Sequence, residues 1–147
     1  MDIKNVSSSI SVAAQISVAD VAALARAGFR SIVCNRPDGE APEQSHAAQI
    51  AAAAQQHGLA FCFQPVISGQ VSDADADEFA ASVDALQGPV LAYCRTGTRC
   101  ITLWALAEAC NRAPSEILQR AHELGYNLDA LQTRLQARHD THQSAAG

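Results

Sequence analysis

Residues 89–100 read Pro-Val-Leu-Ala-Tyr-Cys-Arg-Thr-Gly-Thr-Arg-Cys, an apolar run that passes without a break into a polar turn carrying one glycine and two arginines. Four consecutive apolar residues after a proline have the length and character of a buried strand. Residues 99–110 are again apolar at helical spacing, so the turn joins a strand to a helix. In open α/β sheets, the loops that carry chemistry stand at the carboxyl ends of parallel strands. Cys94 occupies that place.

The rest of the chain repeats the alternation. Residues 10–14 form a short apolar run. Ser17-Val18-Ala19-Asp20 has the pattern of a capping box, predicting a helix to Arg26 that stops at Gly28. Residues 31–34 are expected to be a buried strand, and residues 35–40 a loop punctuated by Pro37 and Gly39. Pro42 is expected to open an alanine-rich helix as far as His57, with Gly58 beyond it. Residues 59–67 read as a strand. Ser72 heads a helix whose first turn is rich in aspartate, which the helix dipole favours. Further helices are expected from Pro114 and from Leu128. Strands alternating with helices predict a three-layer α-β-α domain with a small, mostly parallel sheet. Residues 1–139 are expected to form that single domain, and residues 140–147 a flexible tail.

Composition narrows the function classes. The net charge of -5 argues against nucleic acid or an anionic membrane as partner, since both reward a basic surface. No apolar stretch is long enough to span a bilayer, and residues 1–15 lack the apolar core of a targeting segment. Five cysteines are an odd number for a disulfide framework, and no C-x-x-C pair suggests zinc. The expected setting is cytoplasmic, with thiols mostly reduced, no metal and no cofactor. Cys34, Cys62 and Cys110 lie in apolar strands or a helix and read as packing. His46, His57, His122 and His139 fall on polar helix faces and read as surface residues.

Cys94 is different. The amides of residues 95–99 precede or begin a helix, so they have no partners within it. Curved about one point, they form a nest of donors reinforced by the helix dipole. Gly97 permits the curvature. Arg99 offers a planar fork suited to an oxyanion. A thiol in that field loses its proton readily and becomes a nucleophile near neutral pH. Cys94 and Arg99 are therefore the expected catalytic residues, with Arg95, Thr96, Gly97 and Thr98 as the anion-binding cradle. Cys100 follows Arg99 directly, at the start of the expected helix. It is either a packing residue or a second thiol able to accept sulfur or form a disulfide with Cys94.

The segment 89–100, together with residues 34–40 and Gly125-Tyr126, resembles the bacterial beta-lactamase-hydrolase-like, phosphatase-like domain. That domain occurs alone or fused to persulfide dioxygenases. The resemblance implies the fold of dual-specificity cysteine phosphatases and either a phosphatase or a sulfurtransferase role. A rhodanese-like fold is the architectural alternative, since residues 32–37 echo its aspartate-arginine segment, but a helix replaces the glycine-rich segment expected next.

Two features favour sulfur. Cysteine phosphatases carry C-x5-R, whereas Cys94 to Arg99 is C-x4-R, the spacing of rhodanese-type sulfurtransferases. Residues 66–71 hold no carboxylate to protonate a leaving oxygen. The expected activity is thiol sulfurtransfer, in which Cys94 takes sulfur from thiosulfate or glutathione persulfide and passes it to an acceptor thiol. A persulfide dioxygenase is the expected functional associate. The alternatives are a cysteine-dependent phosphatase working through a phosphocysteine, and a redox- or anion-sensing module.

Overall fold

The computed structural model describes residues 1–146, with side chains as far as Ser144. Five strands, β1 (Ile3–Asn5), β2 (Ile10–Ala13), β3 (Ser31–Cys34), β4 (Ala60–Phe63) and β5 (Val90–Tyr93), form one sheet in the order β1-β2-β5-β3-β4. The four strands β2, β5, β3 and β4 are parallel, so each needs a crossover, and helices supply them. The helices are α1 (Val18–Arg26), α2 (Ala47–Gln56), α3 (Asp73–Ala85), α4 (Thr98–Glu108), α5 (Pro114–Glu123) and α6 (Gln132–Ala146).

Alternation along the central strands sends side chains to two separate cores. Leu91 and Tyr93, with Ile32 and Cys34, face α1 and α2, while Val90 and Ala92, with Val12 and Val33, face α3 to α6. The result is the expected α-β-α sandwich. Strands β2, β3 and β5 are buried along their whole length, which is why they read as continuous apolar runs.

Local signals position several elements. Ser17 and Asp20 close a capping box on α1, and Ser72 and Asp75 close another on α3. Four boundaries depart from the sequence expectations. An additional edge strand, residues 3–5, pairs antiparallel to β2 and is too short and polar to be legible, while the other strands keep the sheet mostly parallel as expected. Helix α2 starts at Ala47 instead of Pro42. The Asp38 carboxylate accepts from the Ala47 amide (2.8 Å) and the Gln49 side chain accepts from His46 N (2.8 Å), which sets the start there. Strand β4 stops at Phe63. Beyond it the chain stays beside β3 through Gln64 N to Cys34 O (2.9 Å) and Val66 N to Asn35 O (3.0 Å), while Pro65 has no amide to donate. The last helix begins at Gln132, after a single 3-10 turn over Asp129–Leu131. It runs through the segment 140–146 assigned to a tail; Gly147 lies outside the described residues. Among the described residues, no helix is long and apolar enough to cross a membrane.

Candidate active site

Cys94 is the first residue beyond β5, and its amide donates to Ala13 O on β2 (3.3 Å). The following turn is tied to the same strand end, since Gln15 N donates to Arg95 O (3.3 Å). Gly97 then caps α4 with φ +90°, a left-handed conformation that side chains resist. A Cβ at Gly97 would also collide with the Tyr126 hydroxyl, which itself donates to Thr96 O (3.2 Å). Glycine is needed there on two counts, backbone shape and space.

This turn wraps the sulfur. Gly97 N donates to Cys94 Sγ at 3.1 Å, and the amides of Cys100, Thr96 and Arg99 also turn towards it. The largest single influence is the Cys100 thiol, buried in the same core at the first turn of α4. Together these donors outweigh burial and lower the Cys94 pKa from 9.0 to about 5. Cys94 is a thiolate at neutral pH. Cys100 moves the opposite way: complete burial, with the Cys94 thiolate beside it, raises its pKa well above the ordinary value. The pair is therefore one thiolate and one thiol.

Arg99 is almost buried (6% exposed) and held from behind. Its Nη1 and Nη2 donate in parallel to the two oxygens of Glu40 (both 2.8 Å), and Nη1 also donates to Val66 O (3.0 Å). Glu40 accepts as well from Arg36 Nε (2.9 Å), and Arg36 Nη1 donates to Gln15 Oε1 (3.0 Å). The end-on fork of Arg99 is thus consumed by Glu40. What remains is the side-on edge, Nε–H with the second Nη2–H, and the guanidinium charge interacts with the Cys94 thiolate. Arg99 above all, with Arg36, holds the Glu40 carboxyl down at about 2, so it stays ionised and cannot serve as an acid near neutrality.

Above the turn lies a pocket of about 800 Å³, lined at its floor by Thr96, Thr98 and Arg99. Cys94 itself is fully buried, so a substrate meets the ring of loop residues before it meets the sulfur. Glu40 is the one carboxylate on the lining. Asp38 caps α2, and Asp73 is turned to Arg134 and Arg138. Ser68 and Gly69, from the loop beyond β4, are also on the lining and carry no acid. Among the described residues, no group of three or more His, Cys, Asp or Glu side chains is gathered to hold a metal.

Residues 2–111 match the family described as beta-lactamase hydrolase-like protein, phosphatase-like domain. The chain belongs to that family. It is 36% identical over 132 residues to the beta-lactamase hydrolase-like protein of Xylella fastidiosa (strain Temecula1), covering 87% of this chain and 30% of that protein. With the protein of the same name from Agrobacterium fabrum it shares 39% identity over 100 residues, 68% of this chain and 23% of that one. The chain thus spans less than a third of the curated relatives it matches. A crystal structure of a putative phosphatase from Neisseria meningitidis superposes with a TM-score of 0.85 at 36% identity, covering 94% of this chain and 99% of that one. PTPMT1 superposes at 0.71 with 14% identity, covering 99% and 98%, and shares the fold alone. The architecture is that of the cysteine phosphatases, in place of the rhodanese-like alternative.

The structure brings together Cys94, Arg99, the cradle residues 95–98 and Cys100, as their adjacency in the sequence required. Cys100 is fully buried in the core cluster that also holds Cys94, Ile101 and Trp104. Sequence reasoning missed Glu40, Arg36 and Gln15, which come from other strand ends. The one available signal was a carboxylate four residues after an arginine in the loop beyond β3. It also missed the pocket wall built by Leu131 and Arg134. Cys34 is buried, with its Sγ 3.3 Å from Arg36 O, and burial raises its pKa, as suits a packing residue. His139 departs from the surface reading: it is half-buried, with Nδ1 3.0 Å from Ala109 O, and ties α6 to the end of α4.

Proposed function

We propose that the chain is a cysteine-dependent phosphatase, acting on phosphomonoesters whose leaving group needs no proton. The observation that carries this reading is the Cys94 thiolate beneath the loop amides, with the side-on edge of Arg99 left unengaged by Glu40. The amides and that edge bind the equatorial oxygens of a phosphoryl group, and they bind best when charge builds on those oxygens. Sγ attacks phosphorus, an S–P bond forms, the ester P–O bond breaks, and the oxyanion of the alcohol leaves. Water then attacks the phosphocysteine, releasing inorganic phosphate and the Cys94 thiolate. The only carboxylate on the pocket lining is held ionised, so aryl and other acidic leaving groups are favoured over alkyl ones.

A second reading, sulfur transfer, has its own support in the six-residue loop and the absence of an acid. There Sγ attacks the outer sulfur of thiosulfate or glutathione persulfide and releases sulfite or glutathione thiolate. An acceptor thiol then takes the sulfur from the Cys94 persulfide. On that reading a persulfide dioxygenase is the natural associate. Either chemistry needs a reduced thiol and fits a cytoplasmic protein.

The experiment is a parallel assay of the protein and its Cys94→Ser variant with an aryl phosphate, with thiosulfate plus cyanide, and with glutathione persulfide plus a thiol. Cys94-dependent release of phosphate at a rate well above that of sulfur transfer supports the phosphatase. Sulfur transfer without phosphate release replaces it with the second reading. Turnover retained by Cys94→Ser refutes both.

A further inference from the structure

The pocket is larger than one reacting oxyanion requires. A volume of about 800 Å³ lies in the range that holds a whole organic ligand, roughly 300–1,000 Å³. Part of its wall comes from beyond residues 2–111: Leu131 and Arg134 join Val71 and Thr102 on the lining. Arg134 is held in place rather than loose. One end of its guanidinium donates to Val71 O (3.0 Å) and the other to Asp73 Oδ1 (2.7 Å), and Asp73 is not on the pocket lining. The side chain remains 40% exposed, with its Nε–H and further Nη–H groups unengaged by protein. Arg95, exposed on the same lining, has no ion-pair or hydrogen-bond partner for its side chain among the described residues. Three arginines therefore face one carboxylate, and that carboxylate is already bound to Arg99. This excess sits on a chain of net charge -5, where a local positive pocket attracts anions selectively.

We propose that Arg134 and Arg95 form a subsite for a second acidic group, so that the substrate is an organic anion with two acidic groups. The reacting group lies over Cys94 against Arg99. The second, a carboxylate or a phosphate, is received by Arg134 and Arg95, and the carbon skeleton between them packs on Leu131 and Val71. The assignment rests on the Cys94 site as the place of the first group, and it applies to a phosphoryl or a sulfur donor alike.

Calorimetric titration of the Cys94→Ser protein tests it with inorganic phosphate, phenyl phosphate, 3-carboxyphenyl phosphate and 1,3-phenylene bisphosphate. The probes with two acidic groups are expected to bind about tenfold more tightly than phenyl phosphate, or about 1.4 kcal/mol. Between them, the carboxylate and bisphosphate arms show which second group is preferred. The advantage is expected to collapse in Arg134→Gln and to shrink in Arg95→Gln. It should persist in part in Arg134→Lys and persist in Asp73→Asn, which removes the partner of Arg134 but not the cation. Those last two variants separate charge recognition from a loosened α6. Binding of phosphate and phenyl phosphate with no advantage for the two-acid probes overturns the subsite alone. So does an advantage that survives the Arg95→Gln, Arg134→Gln double variant. Failure of every probe to bind overturns the phosphatase reading and, with it, the subsite for a second acidic group on a phosphorylated substrate.

Discussion

Replacing Glu40 with glutamine is the most informative perturbation of the site, because it leaves every loop residue in place and removes only what holds Arg99. Glu40 accepts three charge-assisted hydrogen bonds of 2.8–2.9 Å, two from Arg99 and one from Arg36. Its side chain is 26% exposed and that of Arg99 only 7%, so water can replace little of what is lost. The fall of the Glu40 pKa from 4.5 to about 2 corresponds to about 3 kcal/mol of preference for the ionised form, at 1.36 kcal/mol per unit. Glutamine keeps one acceptor but turns an N–H₂ group towards a buried guanidinium, and a buried charge stripped of its partner costs a similar amount, about 3–5 kcal/mol. We expect urea unfolding at pH 7 to show a loss of about 3 kcal/mol. We also expect kcat/KM to fall roughly 10- to 100-fold, because the side-on edge of Arg99 is no longer aimed. The sign with pH follows from a depressed carboxyl pKa. The contribution of Glu40 is complete above about pH 4.5 and is lost as pH falls through 4.5 towards 2, so the gap between wild type and variant should close over that window. Equal stability of the two proteins at pH 7, or kcat/KM within twofold, would refute the idea that Glu40 positions Arg99.

Cys94 should alkylate with iodoacetamide at a rate that rises through about pH 5 and levels off above it, whereas an ordinary thiol would still be rising at pH 8. Because its folded pKa lies below the unfolded value of about 9, wild type should gain stability over Cys94→Ser as pH rises from 5 to 9; a constant difference would mean that the thiolate is not stabilised by the fold. Cys100→Ala should shift that alkylation profile to higher pH, while Cys100→Ser, which keeps a donor, should shift it less. In the wild type, mild peroxide should join Cys94 and Cys100 by way of a Cys94 sulfenic acid, which mass spectrometry would reveal as a loss of two hydrogens; direct progression to sulfinic acid would argue against the pairing. Gly97→Ala should lower activity by at least tenfold and stability by about 1–3 kcal/mol, from the positive φ together with the collision with Tyr126; pairing it with Tyr126→Phe should recover little, since the strained backbone remains.

Local order made much of this protein legible. The run from β5 through residues 94–99 into α4 is contiguous, so the proximity of Cys94, the loop amides, Gly97 and Arg99 could be expected from spacing. Buried parallel strands announce themselves as apolar runs, and Ser17 and Ser72 mark helix starts through bonds that span three residues. The sandwich follows, because strands alternating with helices leave few ways to bury both faces of a sheet. What lay outside the sequence is the set of contacts made between strand ends. Glu40 meets Arg99 across 59 residues and Arg134 bonds Val71 O across 63, and no periodicity encodes pairings at that range. Only the folded sheet, which gathers the loops after β2, β3, β4 and β5 at one edge, decides that the carboxylate on the pocket lining is held ionised by arginines. That leaves Arg99 with one edge for substrate and the pocket with no acid of its own.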